Sequence, residues 1–173
     1  MPFSIVRADL TRMQVDAVVN AANSRLAPGG GVCGAIFAAA GYTPLDRACR
    51  AIGHCDPGQA VITDGFALPA RFILHTVGPI WQGGTQNEPV LLRGCYENTL
   101  RLAAENGCRS VAFPLISAGI YGYPKAEALT IAVETIRAFL ESHEMQVYLA
   151  VFDPEVAALS AARYPELIAD TTI

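Results

Sequence analysis

The sequence predicts a three-layer α/β/α domain built on a sheet of about six strands. Three observations lead there. Short β-rich runs alternate with stretches of helical periodicity, several of those runs are apolar throughout, and two glycine-rich loops each join a strand to a helix. Strands without polar alternation are covered on both faces. Strands alternating with helices place those covers as helix layers on either side of one sheet.

Taken in order, Phe3 to Arg7 and Ala17 to Asn20 are the first two strands. Cys33 to Ala40 is an alanine-rich helix, and Pro44 to Ile52 sets Leu45, Ala48, Cys49 and Ile52 on one helical face. Ala60 to Thr63 and Arg71 to Val77 are strands, followed by Gly83-Gly84-Thr85-Gln86-Asn87, a polar segment predicted to be an exposed, mobile loop. Glu88 to Asn106 and Lys125 to Ser142 are the long helices; in the second, Ala128, Leu129, Ala132, Ile136, Phe139 and Leu140 recur at helical spacing. Ser110 to Pro114 and Val147 to Phe152 complete the strands. Asp153-Pro154-Glu155 then starts a last helix to Arg163, with proline at its first position and acid in its first turn. Both glycine loops and the last strand end fall at the carboxyl edge of the sheet, where open α/β sheets bind ligands.

With 173 residues and 52% hydrophobic content, the chain is expected to fold as one domain over residues 1–173. Charged residues make up 16% and the net charge is −4, with the arginines scattered and Lys125 the only lysine. That pattern argues against a nucleic-acid backbone groove but permits recognition of a single nucleotide. No signal peptide and no membrane-spanning stretch is evident. The five cysteines, Cys33, Cys49, Cys55, Cys95 and Cys108, are an odd set that favours reduced thiols and a cytoplasmic location. Cys49, His54 and Cys55 match no common zinc spacing, so no metal is expected.

The loops Ala27-Pro28-Gly29-Gly30-Gly31-Val32 and Ser117-Ala118-Gly119-Ile120-Tyr121-Gly122-Tyr123 carry the chemistry. Glycine permits positive φ and close approach of a ligand, and a helix start offers unpaired N–H groups to an anion. Two such loops suggest a diphosphate held from both sides. Gly29 to Gly34 formally satisfies G-x-G-x-x-G, but eight residues separate Asn20 from Gly29 and no acid ends a strand about twenty positions later, so a dinucleotide fold of the Rossmann type does not fit. In Asn20-Ala21-Ala22-Asn23 the asparagines suit ribose hydroxyls, and equally suit a turn that bonds its own backbone. His75, following Ile73 and Leu74 in a strand, reads as a satisfied core histidine rather than a catalytic base.

The run Val15-Asp16-Ala17-Val18-Val19-Asn20-Ala21-Ala22-Asn23 with Gly29-Gly30-Gly31-Val32 resembles the macro domain family, whose members bind ADP-ribose. His75-Thr76-Val77-Gly78-Pro79 and the segment from Ala112 through Ser117-Ala118-Gly119-Ile120-Tyr121 to Pro124 resemble it too, in the family's order. The resemblance implies the macro domain fold, with a central mixed, mostly parallel sheet. It implies that Asp9 accepts a hydrogen bond from the adenine amino group, with Leu10 beside it and Phe152 stacking near the base. The diphosphate then lies between the loops, against Gly31, Val32, Ser117, Ala118, Gly119 and Ile120, with Tyr121 closing over it. The outer ribose lies near Ala22, Asn23 and Gly30. The implied ligands are ADP-ribose, O-acetyl-ADP-ribose or an ADP-ribosylated protein, with no cofactor.

Hydrolytic members of the MacroD-type branch, the deacetylases and mono-ADP-ribosylhydrolases, usually carry an aspartate and a histidine where this sequence has Cys33 and Phe37. Three readings stay open at this point. Hydrolysis persists through Asn23 and a ligand phosphate that serves as base; the protein binds ADP-ribose without turnover; or Cys33 is itself a nucleophile, its thiolate favoured by the helix N-terminus.

Overall fold

The computed structural model describes residues 1–169. Its strands are β1 (Phe3–Val6), β2 (Ala17–Ala22), β3 (Ala60–Asp64), β4 (Phe72–Val77), β5 (Ser110–Phe113) and β6 (Gln146–Ala150). Its helices are α1 (Gly31–Ala40), α2 (Tyr42–Ile52), α3 (Glu88–Glu105), α4 (Lys125–Leu140) and α5 (Pro154–Arg163). The strands form one sheet in the order β1-β6-β5-β2-β4-β3. All neighbours pair in parallel except β3, which runs antiparallel to β4 at one edge.

Alternation of side chains across the strands builds two cores. Ala17, Val19, Leu74 and Val111 face a cluster with Leu92, Tyr96 and Leu100 of α3, Leu129, Val133 and Ile136 of α4 and Val156 of α5. Val18, Ile73 and Ala112 point the other way, onto Ile36 and Phe37 of α1 and Leu45 and Cys49 of α2. The three-layer arrangement follows directly from this division.

Two strand ends differ from expectation by two residues, for one reason; the other strand bounds agree to within one residue. β2 runs on to Ala22 because Ala21 and Ala22 still pair with Thr76 and Val77 of β4. β6 stops at Ala150 because its partner β1 ends at Val6, opposite Ala150. Phe152 is thereby released from the sheet. The helical pair α1 and α2 meets at Gly41, whose φ of +101° turns the chain between them.

Parallel pairing carries β1, β6, β5, β2 and β4 to the same carboxyl edge. The segments leaving these strands therefore stand side by side in that order: Asp9, then Phe152, the second glycine loop, Asn23 with the first glycine loop, and last the loop beginning at Gly78.

Candidate functional site

The first glycine loop starts from a turn tied by one side chain. Asn23 Oδ1 accepts the Ala27 N–H at 3.0 Å, and Asn23 Nδ2 donates to the Ala27 carbonyl at 2.8 Å. The buried Leu26 adopts a left-handed φ of +55° inside this turn. Beyond it Gly30 is extended and caps α1 without any side-chain bond, so the N–H groups of the first helical turn have no side-chain acceptor. Gly34 lets α1 lie against the loop, since a Cβ there would stand 2.6 Å from the Gly29 carbonyl oxygen.

The second loop is tied to distant parts of the chain. Ser117, at φ +66°, donates its hydroxyl to the Pro79 carbonyl at 2.8 Å, and its own carbonyl accepts the Tyr123 N–H at 2.9 Å. The Tyr121 carbonyl accepts the Trp81 N–H at 2.8 Å. Beneath the loop, the hydroxyl of the fully buried Tyr96 accepts the Ile116 N–H at 3.1 Å and donates to the Pro114 carbonyl at 3.5 Å. Gly78 is required by contact, because a Cβ there would meet Ser117 Oγ at 2.1 Å.

Between the loops lies a cleft of about 450 Å³. Ala22, Asn23, Gly30, Gly31, Val32 and Cys33 line it from one side; Ser117, Gly119, Ile120 and Tyr121 line it from the other. Ile120 is 88% exposed and reaches across to the first loop, its Cδ1 lying 3.8 Å from where a Gly30 Cβ would be. Ala118 is half-buried and packs on the core below. A concavity of similar size, about 480 Å³, lies on the helical face between Pro89, Ala126, Thr130 and Arg163. Convergence of strand exits and helix-start amides singles out the cleft between the loops.

Asp9, Leu10 and Phe152 lie outside the cleft lining, at the exits of β1 and β6. Asp9 caps a short 3-10 turn, Leu10–Arg12, its Oδ1 accepting the Thr11 N–H at 3.0 Å and the Thr11 hydroxyl at 2.7 Å. Those Thr11 bonds, with smaller help from Arg12, hold the carboxyl below its ordinary value against the opposing effect of burial. Its Oδ2 takes no hydrogen bond among the described residues, standing 3.7 Å from Arg12 Nε. Leu10 is buried in the core beneath α1 and α2. Phe152 is 79% exposed, an aromatic ring of unusual openness at a strand exit.

Behind Cys33 lies a buried polar chain that sequence spacing did not join. Asn20 Nδ2 contacts both Cys33 Sγ at 3.8 Å and His75 Nδ1 at 3.0 Å, and His75 Nε2 meets Thr63 Oγ1 at 2.9 Å. The pattern assigns His75 as neutral, accepting at Nδ1 and donating from Nε2, with the Thr63 hydroxyl donating in turn to the Asp64 carbonyl at 3.2 Å. Burial holds the His75 pKa down to about 4, as expected for a satisfied core histidine. Asn20 Oδ1 is buried with no partner among the described residues.

Burial also raises the Cys33 thiol, outweighing the Asn20 contact and a backbone bond from Gly29 that act the other way. Of the three open readings, the thiolate at the helix N-terminus is the one that this burial opposes. Phe37, one turn on, is buried and packs against Tyr42 with ring centroids 5.8 Å apart.

The segment from Gly83 to Asn87 is mostly exposed but is held in place rather than loose. Glu88 folds back under it and accepts the N–H groups of Gln82, Gly84 and Gln86. Burial alone would raise the Glu88 carboxyl, but these amides bring it below its usual range. Glu88, Tyr96 and Gly78 shape the site without lying in any glycine motif; the nearest sequence signal was the His75 to Pro79 run that contains Gly78.

Among the described residues no group of three or more His, Cys, Asp or Glu side chains is placed to hold a metal ion. No helix among them is long and apolar enough to cross a membrane.

Residues 19–132 match the family model described as Macro domain. The O-acetyl-ADP-ribose deacetylase of Escherichia coli K12 is 51% identical over 161 residues, covering 90% of both chains. That of Cronobacter sakazakii is 52% identical over 158 residues, covering 88% of this chain and 87% of its own. Among solved structures, the Oceanobacillus iheyensis macrodomain with ADP superposes with a TM-score of 0.88 at 38% identity, covering 94% of this chain and 90% of that one. The Trypanosoma brucei macrodomain in complex with ADP-ribose gives 0.83 at 41% identity, covering 90% of this chain and 66% of that one. The motifs, the sheet order, the cleft and these matches agree: this chain belongs to the macro domain family.

Proposed function

We propose that this single-domain protein binds ADP-ribose across the carboxyl edge of its sheet and hydrolyses an ADP-ribose ester, either O-acetyl-ADP-ribose or an ADP-ribosylated acidic side chain. The observation that carries the reading is the cleft between two loops whose backbone is available to a diphosphate and whose side chains are uncharged. Backbone N–H groups at the α1 start and in the second loop neutralise the phosphates without lysine or arginine. Asp9 Oδ2, ionised and free of hydrogen bonds among the described residues though 3.7 Å from Arg12 Nε, accepts the adenine amino group beside Leu10, and Phe152 offers its exposed ring to the base. Tyr121 closes over the phosphates, and the outer ribose lies against Ala22, Asn23 and Gly30.

Hydrolysis adds water to the ester, giving a free ribose hydroxyl and a carboxylic acid. Asn23 positions the ribose and a ligand phosphate takes the water proton, while preorganised amides stabilise the developing charge. A cysteine nucleophile is disfavoured by the raised Cys33 thiol. Binding without turnover is the second reading, favoured by the buried Cys33 and Phe37 at positions where hydrolytic relatives usually place acid and imidazole. The sequence features that favour reduced thiols support a cytoplasmic setting.

Calorimetry with ADP-ribose, AMP and NAD tests binding; a protein that does not prefer ADP-ribose is not of this function. Asp9→Ala is expected to weaken ADP-ribose by about 1.5 to 3 kcal/mol, the range for a hydrogen bond to a charged group. Unchanged affinity removes Asp9 from the adenine role. Turnover of O-acetyl-ADP-ribose and of an ADP-ribosylated-glutamate peptide is then compared in wild type, Asn23→Ala, Cys33→Ala and Cys33→Asp. Wild-type activity that survives Cys33→Ala supports the phosphate-assisted route. An inert wild type with an active Cys33→Asp supports binding alone, and activity lost in Cys33→Ala with binding retained restores the thiol.

A further inference from the structure

A second, smaller hollow of about 220 Å³ adjoins the cleft. Gly78 and Tyr121 line both, so the two share a boundary at that point. The hollow lies beyond the Asn23 end: Ser24, next in sequence to Asn23, forms one of its walls, and Ile80, Gln82 and Gln86 of the loop after β4 form another. β4 is the next strand past β2 in the sheet, so this loop stands one strand further from Asp9 and Phe152 than Asn23 does.

We infer that this hollow is the subsite for the acyl group esterified to the outer ribose, and that it takes uncharged acyl groups longer than acetyl. The inference rests on the proposed ADP-ribose orientation, which puts the outer ribose at Asn23 and so points its substituent at Ser24 and Ile80.

Size and chemistry set the preference. Water occupies about 30 Å³ per molecule, so the hollow has room for several non-hydrogen atoms and an acetyl group leaves part of it empty. Pro57, Ile80 and Leu91 give it an apolar lining, while Ser24, Gln82 and Gln86 are neutral and polar. Its one carboxylate, Glu88, is spent on the amides of Gln82, Gly84 and Gln86. No cation among the described residues lines the hollow, so an acyl chain ending in a carboxylate finds no such partner there and meets Glu88 instead. The walls are set before ligand arrives: Glu88 fixes the loop, its Trp81 N–H donates to the Tyr121 carbonyl, and its Pro79 carbonyl accepts from the Ser117 hydroxyl.

The same acyl ester occurs in a small metabolite and on a glutamate side chain within a protein, and the experiment separates the two. Calorimetry uses ADP-ribose and its non-hydrolysable, amide-linked acetyl, butyryl and succinyl analogues, with a glutamyl peptide linked in the same way. For wild type, butyryl is expected to bind about tenfold more tightly than acetyl, as two further buried methylenes allow, and succinyl more weakly than butyryl. Ile80 is 56% exposed, so Ile80→Trp fills the hollow without disturbing a core. This variant is expected to remove the butyryl advantage while leaving ADP-ribose affinity within about twofold. The glutamyl peptide binding more tightly than butyryl, and losing that margin in Ile80→Trp, assigns the subsite to protein-borne esters; butyryl binding more tightly assigns it to free acyl groups. Equal affinity of acetyl and butyryl, or an unchanged butyryl advantage in Ile80→Trp, overturns the inference while ADP-ribose binding stands. Loss of ADP-ribose binding in wild type instead overturns the proposed function itself.

Discussion

The two walls of the cleft look alike in sequence and are held in different ways. The first loop is shaped locally, by Asn23 gripping Ala27 four residues on, and it rests on Asn20, His75 and Thr63. The second is shaped at long range, by Pro79, Trp81 and Tyr96, and rests on a phenol. The difference matters because the two foundations titrate differently. Burial holds His75 down to about 4, within reach of acid, whereas burial pushes the Tyr96 phenol above its ordinary value and out of reach.

Acid should therefore undermine the first wall. An unfolded histidine takes up a proton below its ordinary 6.5, but the buried ring resists protonation down to about 4. Its contribution is thus complete above pH 6.5 and is lost as pH falls towards 4, by up to about 3 kcal/mol. Urea unfolding between pH 7 and 4 checks this against His75→Gln, which lacks the titration. Parallel pH profiles for the two proteins would show that His75 does not carry the loss.

The second wall should respond to Tyr96→Phe at every pH. Removing the hydroxyl leaves the buried Ile116 N–H without its acceptor, at a cost of about 1 to 3 kcal/mol. A stability loss that grows on acidification would put Tyr96 and His75 under the same wall and dissolve the contrast.

Asn23→Ala is the sharpest test of local against long-range support. With both bonds to Ala27 gone, ADP-ribose affinity is expected to fall about tenfold, the scale of one to two net hydrogen bonds, while the thermal midpoint moves little. A midpoint falling as far as in Tyr96→Phe would mean that the first loop is also part of the global fold.

What could be read from the sequence divides along the same line. The helices were legible because each buries one regular face, as Leu129, Val133 and Ile136 do on α4, and the strands because most are apolar on both faces. The first wall was half legible: Asn23 and the glycines are contiguous, and both the turn and the ribose reading were visible, but the pairing of Asn20 with His75 spans 55 positions and has no local signal. The second wall was legible only at its rim. Tyr96 reads as one more apolar position on α3, and Glu88 as an acid in a first turn; their roles arise from segments that meet only after folding. The strand ends at Ala22 and Ala150 were misplaced because a strand's length is set by its neighbour's. The loop at 83–87 reads as mobile from glycine content, which does not register the carboxylate beneath it.

Five parallel strands deliver their exit loops to one edge in the order β1, β6, β5, β2, β4. Neighbouring strands lie about 4.8 Å apart, so the first and last of these exits are separated by roughly 19 Å. In the proposed binding mode the edge is in effect a ruler: it would measure a ligand by length as well as by chemistry, and each graduation sits on a separate loop. On the proposed orientation, a ligand one phosphate shorter than ADP-ribose is expected to reach the Asp9 end of this scale but miss Asn23, whatever its affinity for any single loop.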